Sequence, residues 1–454
     1  MKTYDVIVVG AGDVGLGIVF KAASQGLSVA VADKGDPGGT CVNYGCVPSK
    51  TLIHTADRIN EIRQAGEFGI SAHIAEIDFG DIMHRMRETV SSGRLSIERA
   101  LEETDNIDFF RGEAHFLNER TLAVGQQRIR GRKIFIASGA RPTVPDLKGL
   151  ESIDYLTNET VLDLEERPQN LVIIGGGFVG VEYAHFFSAV GTKVTLIIRG
   201  RDLMPIEEPE ISELLKNEMG RRMTLLFGSD AVEVMRSGMG YEVLVKNRES
   251  GEIQELQSDA VMLSTGRTSN ADLLRIENAG VETNEANYIK VDDYLRTNKK
   301  HIWALGDAIG RAMFTHAGDR EAELAWHNAM NRKKLPMDFQ NVPHAVYTSP
   351  QIASIGLTEK KAREEHEILV GRAAYSDTVM GEAMLEHKGF AKAIVEKGSG
   401  RILGFHIIGP HAAILIQEVV NAVLNRTDVR SITGSMHIFP ALSNLVTETL
   451  GNVE

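Results

Sequence analysis

Apolar and polar positions along this chain fall into blocks that repeat. Tyr4-Asp5-Val6-Ile7-Val8-Val9 is a short apolar run rich in β-branched residues, followed by a glycine loop, a helical stretch to about Gln25 and a second apolar run, Leu27 to Ala32. Continuous apolar runs of this length, bounded by turn residues, predict strands buried on both faces. The order returns at Leu171-Val172-Ile173-Ile174, again with a glycine loop, a helical stretch and a strand-like run, Lys193 to Ile198. Between about Asp57 and Asp105 the pattern is long-helical, with Ile82, Met83, Met86 and Val90 spaced as one core-facing stripe. Beyond a polar linker from Arg332 to Pro343, strand-like segments (His344 to Ile355, Phe390 to Glu396, Ile402 to Ile408) surround helical ones without a further glycine loop. That change of pattern predicts an α+β unit at the C-terminal end.

The glycine loops give the first two blocks a chemistry. Gly10-Ala11-Gly12-Asp13-Val14-Gly15 is GxGxxG between a strand and a helix. In that setting Gly10 makes the turn, Gly12 lets a pyrophosphate approach, Gly15 packs helix on strand, and the phosphates sit on the helix N-terminus. Asp33, followed by Lys34, closes the second strand, where an acid takes a ribose hydroxyl. Gly175-Gly176-Gly177-Phe178-Val179-Gly180 repeats the motif 165 residues later, with Gly175, Gly177 and Gly180 in the same three positions. The expected fold class is therefore α/β, with two Rossmann-like dinucleotide-binding domains and two nucleotides. In the second unit the ribose position holds Ile198, followed by Arg199 and Arg201. Without a carboxylate to repel a 2'-phosphate, and with arginine to bind it, NADPH is favoured, NADH remaining possible. The alternative is that both arginines are solvated surface charge.

The remaining signal is GGTCVNYGCVPSK, Gly38 to Lys50, which holds Cys41 and Cys46, the only two cysteines in 454 residues. A disulfide across so short a loop removes little entropy from the unfolded chain, so its use is to be broken and remade. Asn43 and Gly45 between them tolerate unusual backbone angles. Pro48 suits the first turn of a helix running towards Arg63, which puts Cys46 near a helix N-terminus and favours its thiolate. A zinc site needs about four ligands, and no others stand nearby, so no metal site is expected. The net charge of -13 argues against nucleic acid or an anionic membrane as partner. No apolar run approaches the roughly 18 residues of a membrane span, and MKTYDVIVVGAG reads as a buried strand rather than a signal peptide. A cytoplasmic location is expected, where a lone cysteine pair serves catalysis.

A glycine-rich unit followed by GGTCxxxxCxPSK resembles the flavoprotein disulfide reductases, the family of dihydrolipoamide dehydrogenase, glutathione reductase and mercuric reductase, over nearly the whole chain. The resemblance implies that the first unit binds FAD, that Cys46 is the thiolate facing the flavin, that Cys41 exchanges with a small-molecule substrate, and that Lys50 stands near flavin N5 with Glu182 as its partner. It places Gly39, Thr40, Ala114, Ser138 and Gly139 around FAD. Asp307, in His301 to Asp307, would bond the ribityl chain, and Thr315 would lie at the pyrimidine end. Phe178 takes the position of the aromatic gate that covers the flavin until nicotinamide arrives, and Gly266 lies where the chain leaves the nicotinamide domain. The implied division is residues 1–150 for FAD, 151–270 for NAD(P)H, 271–335 completing the FAD domain, and 336–454 forming the dimerisation domain of a homodimer.

The C-terminal segment departs from the family pattern. Where the best-known disulfide reductases carry a histidine before proline and, beyond it, a glutamate that orients it, this chain has Phe439 and Asn444. His437 is then either a displaced base or a structural residue. Without the dyad, ordinary dihydrolipoamide dehydrogenase activity is not expected. The expected activity is that of an FAD-dependent NAD(P)H oxidoreductase acting on a small disulfide or another thiol-reactive acceptor. Alternatives are a mercuric or other metal-ion reductase, a quinone reductase, an enzyme like 2-ketopropyl-coenzyme M carboxylase, and a non-catalytic flavoprotein scaffold.

Overall fold

The computed structural model describes the chain from Met1 to Glu454. Its first sheet is built on the strand Lys2–Val9, whose Val6, Ile7 and Val8 are fully buried. This strand pairs in parallel with Val29–Asp33 on one side and Gln127–Ile136 on the other. Ile107–Arg111 extends one edge in parallel, and Thr121–Val124 and Ala114–Asn118 extend the other antiparallel. Much later in the chain, Ile302–Ala304 returns to pair with Gln127–Ile136.

The second parallel sheet runs in the order Thr224–Leu226, Lys193–Ile197, Asn170–Ile174, Ala260–Leu263. A three-stranded antiparallel sheet, Ser229–Ser237, Gly240–Asn247 and Ile253–Ser258, packs Val234, Val243 and Val245 onto it. The outgoing connection, Ala140–Pro142, and the returning one, Arg267–Ser269, pair with each other. The C-terminal unit is a five-stranded antiparallel sheet backed by the helices Ala412–Leu424 and Asn444–Gly451. The architecture is thus two Rossmann-like units and a C-terminal α+β unit.

Three local expectations are corrected. The long-helical stretch is two helices, Cys46–Gln64 and Phe79–Glu102. Gly69, at φ +75°, turns the chain away after the first, and Asp78 caps the second by accepting from Asp81 N at 2.9 Å. Its Met83 and Met86 are buried as the stripe required. The run His344 to Ile355 is two antiparallel strands, His344–Val346 and Gln351–Gly356; Pro350 between them has no N–H for a ladder. Ile368–Ala374, missed by the alternation pattern, is the outer strand beside Phe390–Glu396. No helix is long and apolar enough to cross a membrane.

Candidate active site

Cys41 lies in the short helix Gly39–Asn43, and Cys46 opens the helix Cys46–Gln64, with Pro48 in its first turn. Asn43 acts differently from its sequence reading: it is buried, and its amide donates to the carbonyls of Pro37 and Gly39, each at 3.1 Å. It anchors the loop between the cysteines rather than supplying a strained turn. Both cysteines are free thiols, the reduced form of the pair. The Cys46 Sγ is 3.4 Å from Thr315 Oγ1, at the start of the helix Thr315–Met330. The hydrogen bond from Cys41 lowers the Cys46 thiol to about 6; burial opposes this, while Thr315 and the charge of Lys50 add to it. The same bond, followed by burial, pushes the Cys41 thiol up. One sulfur is therefore poised as thiolate and the other as its hydrogen-bond donor.

The cysteine helix packs against Phe178–Ala189 through two polar contacts. Lys50 Nζ donates to Glu182 Oε2 at 2.8 Å, and the other Glu182 oxygen accepts from Tyr347 N at 3.0 Å. Lys50 Nζ also sits 4.7 Å from the centre of the Tyr347 ring. Further along the same helix, Asp57 pairs with the fully buried His185 at 3.1 Å. The other His185 nitrogen is 3.2 Å from Arg222, which in turn donates to Ser349 O. Burial pushes the His185 imidazole below its ordinary range. The family resemblance pointed to Lys50 and Glu182; Tyr347, Asp57, His185 and Arg222 carry no local motif.

Residues expected around FAD gather in two places, one beside Gly10 and one around Arg267 and Asp307. At Gly10, φ is +108° and a Cβ would lie 2.1 Å from Ala137 O; at Gly15 a Cβ would lie 2.0 Å from Gly10 O. Glycine is required at both. Gly39 approaches Gly12 so closely that a Cβ on it would stand 2.6 Å from Gly12 Cα. Asp33 accepts from Ala11 N at 2.6 Å and Gly35 N at 2.8 Å, tying the phosphate loop to the strand end. Asp33, Lys34, Ala114 and Ser138 border a slot beside Gly10, and Ser138 Oγ is buried there without a hydrogen-bond partner. An unpartnered hydroxyl and a glycine-only phosphate loop fit the adenosine half of a dinucleotide. Gly139, at φ +67°, leaves open space beside it. Thr40 Oγ1 is 3.3 Å from an Arg267 nitrogen, and Arg267 Nε is 3.1 Å from Asp307 Oδ2. Burial raises the Asp307 carboxyl, against the pull of Arg267. Glu321, absent from the sequence reading, is fully buried and accepts from Gly306 N at 2.5 Å, fixing the turn that presents Asp307. Burial pushes its carboxyl up to about 8.

The second glycine loop repeats this construction. Gly175 has φ +113°, and a Cβ on Gly180 would lie 2.0 Å from Gly175 O, whereas a Cβ on Gly177 would meet nothing within 4 Å. The open face at Gly177 is where a pyrophosphate is accommodated in such loops. Gly266, at φ +110°, stands at the return connection. Phe178 opens the following helix with its ring edge-on to Phe314 at 5.3 Å and to His344 at 5.7 Å. Arg199 pairs with Asp230 at 3.0 Å, Arg248 joins the same carboxylate at 3.2 Å, and Arg201 is 3.9 Å from Glu249. All three arginines are exposed.

In the C-terminal loop, Met436, Ile438 and Phe439 are all exposed. Asn444 holds this loop, accepting from Ala441 N at 3.0 Å and donating to Ile438 O at 3.3 Å. His437 Nε2 is 2.7 Å from Glu418 Oε1, and Nδ1 is 3.2 Å from Ser435 O. Both ring nitrogens face acceptors within the chain, which supports the structural reading of His437 over the displaced base.

Comparison with known proteins returns the same architecture. Residues 4–330 match the family model for pyridine nucleotide-disulphide oxidoreductases, and residues 342–450 match its dimerisation domain. The chain is 34% identical over 465 residues to mycothione reductase of Mycobacterium tuberculosis, covering 99% of each. It is 32% identical to mercuric reductase of Staphylococcus aureus over 95% of this chain and 79% of that one. Among solved structures, the HOCl-induced flavoprotein disulfide reductase RclA from Escherichia coli superposes with a TM-score of 0.89 at 27% identity, covering 99% of this chain and 100% of that one. Its Cu(II) complex gives the same TM-score.

Proposed function

Because the chain belongs to the pyridine nucleotide-disulphide oxidoreductases, we propose that it is an FAD-dependent reductase that takes electrons from NADPH and delivers them through the Cys41–Cys46 pair to a small disulfide or another thiol-reactive acceptor. The observation that carries this reading is the placement of the cysteine pair: Cys46 opens a helix, 3.4 Å from Thr315 Oγ1 and one turn from the Lys50–Glu182 pair, a setting that favours its thiolate. FAD, held by Gly10, Gly12, Asp33, Ser138 and Asp307, supplies the two-electron relay between nicotinamide and disulfide when bound. With the pair reduced, Cys41 passes its proton to the Cys46 thiolate and attacks one sulfur of the substrate, expelling the first thiolate, which takes that proton from Cys46. Cys46 then attacks the mixed disulfide at Cys41, expelling the second thiolate and restoring the Cys41–Cys46 bond. Lys50, fixed by Glu182, keeps positive charge beside Cys46 and favours its thiolate whenever the pair is reduced. The four-segment division given above belongs to this reading, as does a homodimer whose exposed Phe439 loop lies at the partner's substrate side.

Phe439 and Asn444 stand where the family's base and its orienter would be, so the nearest base for the Cys41 proton is the Cys46 thiolate itself. That favours acceptors whose reduction needs no protonated leaving group. A soft metal ion is the second reading: both sulfurs are free to ligate it, and the RclA structure was solved as a Cu(II) complex. Anaerobic titration of the holoenzyme with NADPH is expected to give a thiolate-flavin charge-transfer band after one equivalent. An acceptor screen over small disulfides, metal ions, quinones and carbonyl compounds with CO2 then assigns the substrate. Absence of the band refutes the electron route for every acceptor.

Coenzyme choice rests on Arg199 and Arg201. Arg199 and Arg201 are themselves exposed, paired with the half-buried Asp230 and the exposed Glu249, and a 2'-phosphate competes for the same guanidinium groups. Arg199→Ala is expected to lower kcat/KM for NADPH about 10- to 100-fold, the loss of one charge-assisted contact, and to leave NADH turnover unchanged. Equal effects on both coenzymes would remove Arg199 from phosphate recognition.

A further inference from the structure

Beside Phe178 the chain buries a carboxylate-imidazole pair that the disulfide chemistry does not use. His344 Nε2 is 2.6 Å from Glu207 Oε1, and the other Glu207 oxygen accepts from Ser354 Oγ at 2.5 Å. The Glu207 side chain is fully shielded from solvent, while that of His344 is 16% exposed and in ring contact with Phe178. Burial alone would raise the Glu207 carboxyl, but the bonds from His344 and Ser354 outweigh it and hold the group below its ordinary range. A carboxylate at this distance accepts a proton from Nε2, and in the neutral imidazole that leaves Nδ1 as the acceptor. No protein group bonds Nδ1.

The surrounding rings fix where this acceptor sits. His344 and Phe314 stack at 5.9 Å with 11° between their planes, and Phe178 is edge-on to both. His316 stacks on Phe314 at 5.5 Å, and its Nε2 is 2.7 Å from Pro343 O, the residue before His344. The same segment presents Tyr347 N to Glu182. His344 is therefore clamped between the gate and the strand that completes the Lys50–Glu182 pair.

We propose that His344, braced by Glu207, is a positioning residue for nicotinamide: it seats Phe178 while the face is closed and accepts the carboxamide N–H when Phe178 moves aside. The inference rests on the reading of Phe178 as the gate. A carboxamide is the one part of the coenzyme that offers an uncharged N–H donor beside its reacting ring, which matches an acceptor of fixed tautomer. Glu207 also closes the segment that begins at Arg199, so one stretch of chain addresses both ends of the coenzyme.

The test uses oxidised holoenzyme, in which no turnover occurs, and titration calorimetry with two pairs of probes: NADP+ and NAD+, and their counterparts lacking nicotinamide, 2'-phospho-ADP-ribose and ADP-ribose. His344→Phe keeps the ring stack and removes Nδ1; Glu207→Gln keeps the imidazole and frees its tautomer. His344→Phe is expected to raise the dissociation constant of the preferred nicotinamide coenzyme about five- to tenfold, the loss of one hydrogen bond, with the fragment lacking nicotinamide unaffected. Glu207→Gln is expected to shift in the same direction by a smaller factor, which keeps the test decisive if His344→Phe does not fold. Unchanged coenzyme binding, or equal weakening of coenzyme and fragment, overturns the proposal. A wild-type enzyme that binds neither coenzyme would instead overturn the reading on which it rests.

Discussion

Cys46→Ser is expected to bind FAD normally, to show no long-wavelength charge-transfer absorbance on anaerobic reduction, and to lose acceptor turnover by on the order of a thousandfold or more. The reason is the division of roles between the sulfurs: the thiol lowered to about 6 is Cys46, and serine cannot supply that thiolate. Cys41→Ser is expected to lose turnover as well, yet to show the band without any reductant. Its hydroxyl still donates to the Cys46 thiolate, which no longer has a disulfide partner. The band in half-reduced wild type should also titrate. Because the Cys46 pKa is depressed, the thiolate is present above about pH 6 and is lost as pH falls through that value. Absorbance spectra of the three proteins between pH 5 and 8 check all of this. A band that survives in Cys46→Ser would assign the thiolate to Cys41.

The second large effect separates the two nucleotide sites. Gly15→Ala is expected to yield protein with little or no flavin, since the new Cβ would lie 2.0 Å from Gly10 O and push the first phosphate loop out of shape. Gly180→Ala carries the same clash, 2.0 Å from Gly175 O, into the second loop alone. It is expected to retain flavin and to be reduced by dithionite, while reduction by NADPH falls at least about a hundredfold. Flavin absorbance after purification and stopped-flow reduction with each donor distinguish the two variants. If both lost flavin equally, the assignment of the two loops to different nucleotides would fail.

These sites were legible in sequence where their chemistry is local. Each GxGxxG needs glycine because two backbone segments of the same short loop meet, so Gly10, Gly15, Gly175 and Gly180 announce themselves within six residues. Cys41 and Cys46 do so by their isolation. The supporting groups depend on contacts between segments distant in the chain: Arg222 reaches His185 and Thr315 reaches Cys46 only when their units fold, and Tyr347 reaches Glu182 only when the C-terminal unit packs on the second. Thr315 was placed beside the flavin by resemblance, and its contact with sulfur gives it a second task that no spacing encodes. Glu418 and Glu321 lie in helices whose patterns read as ordinary amphipathic stretches. The split of His344 to Ile355 went unread because two short strands joined by a turn present the same apolar positions as one longer strand.

The two polar contacts along the cysteine helix have a consequence for motion. Lys50–Glu182 binds that helix to the second nucleotide unit near the sulfur, and Asp57–His185–Arg222 binds it again further along and on to Ser349 of the C-terminal unit. Pinned at two points, the helix has no hinge about which the sulfur could travel. If electrons take the proposed route, the sulfur is expected to receive them without travelling, and the rate of its reduction should be indifferent to the viscosity of the medium.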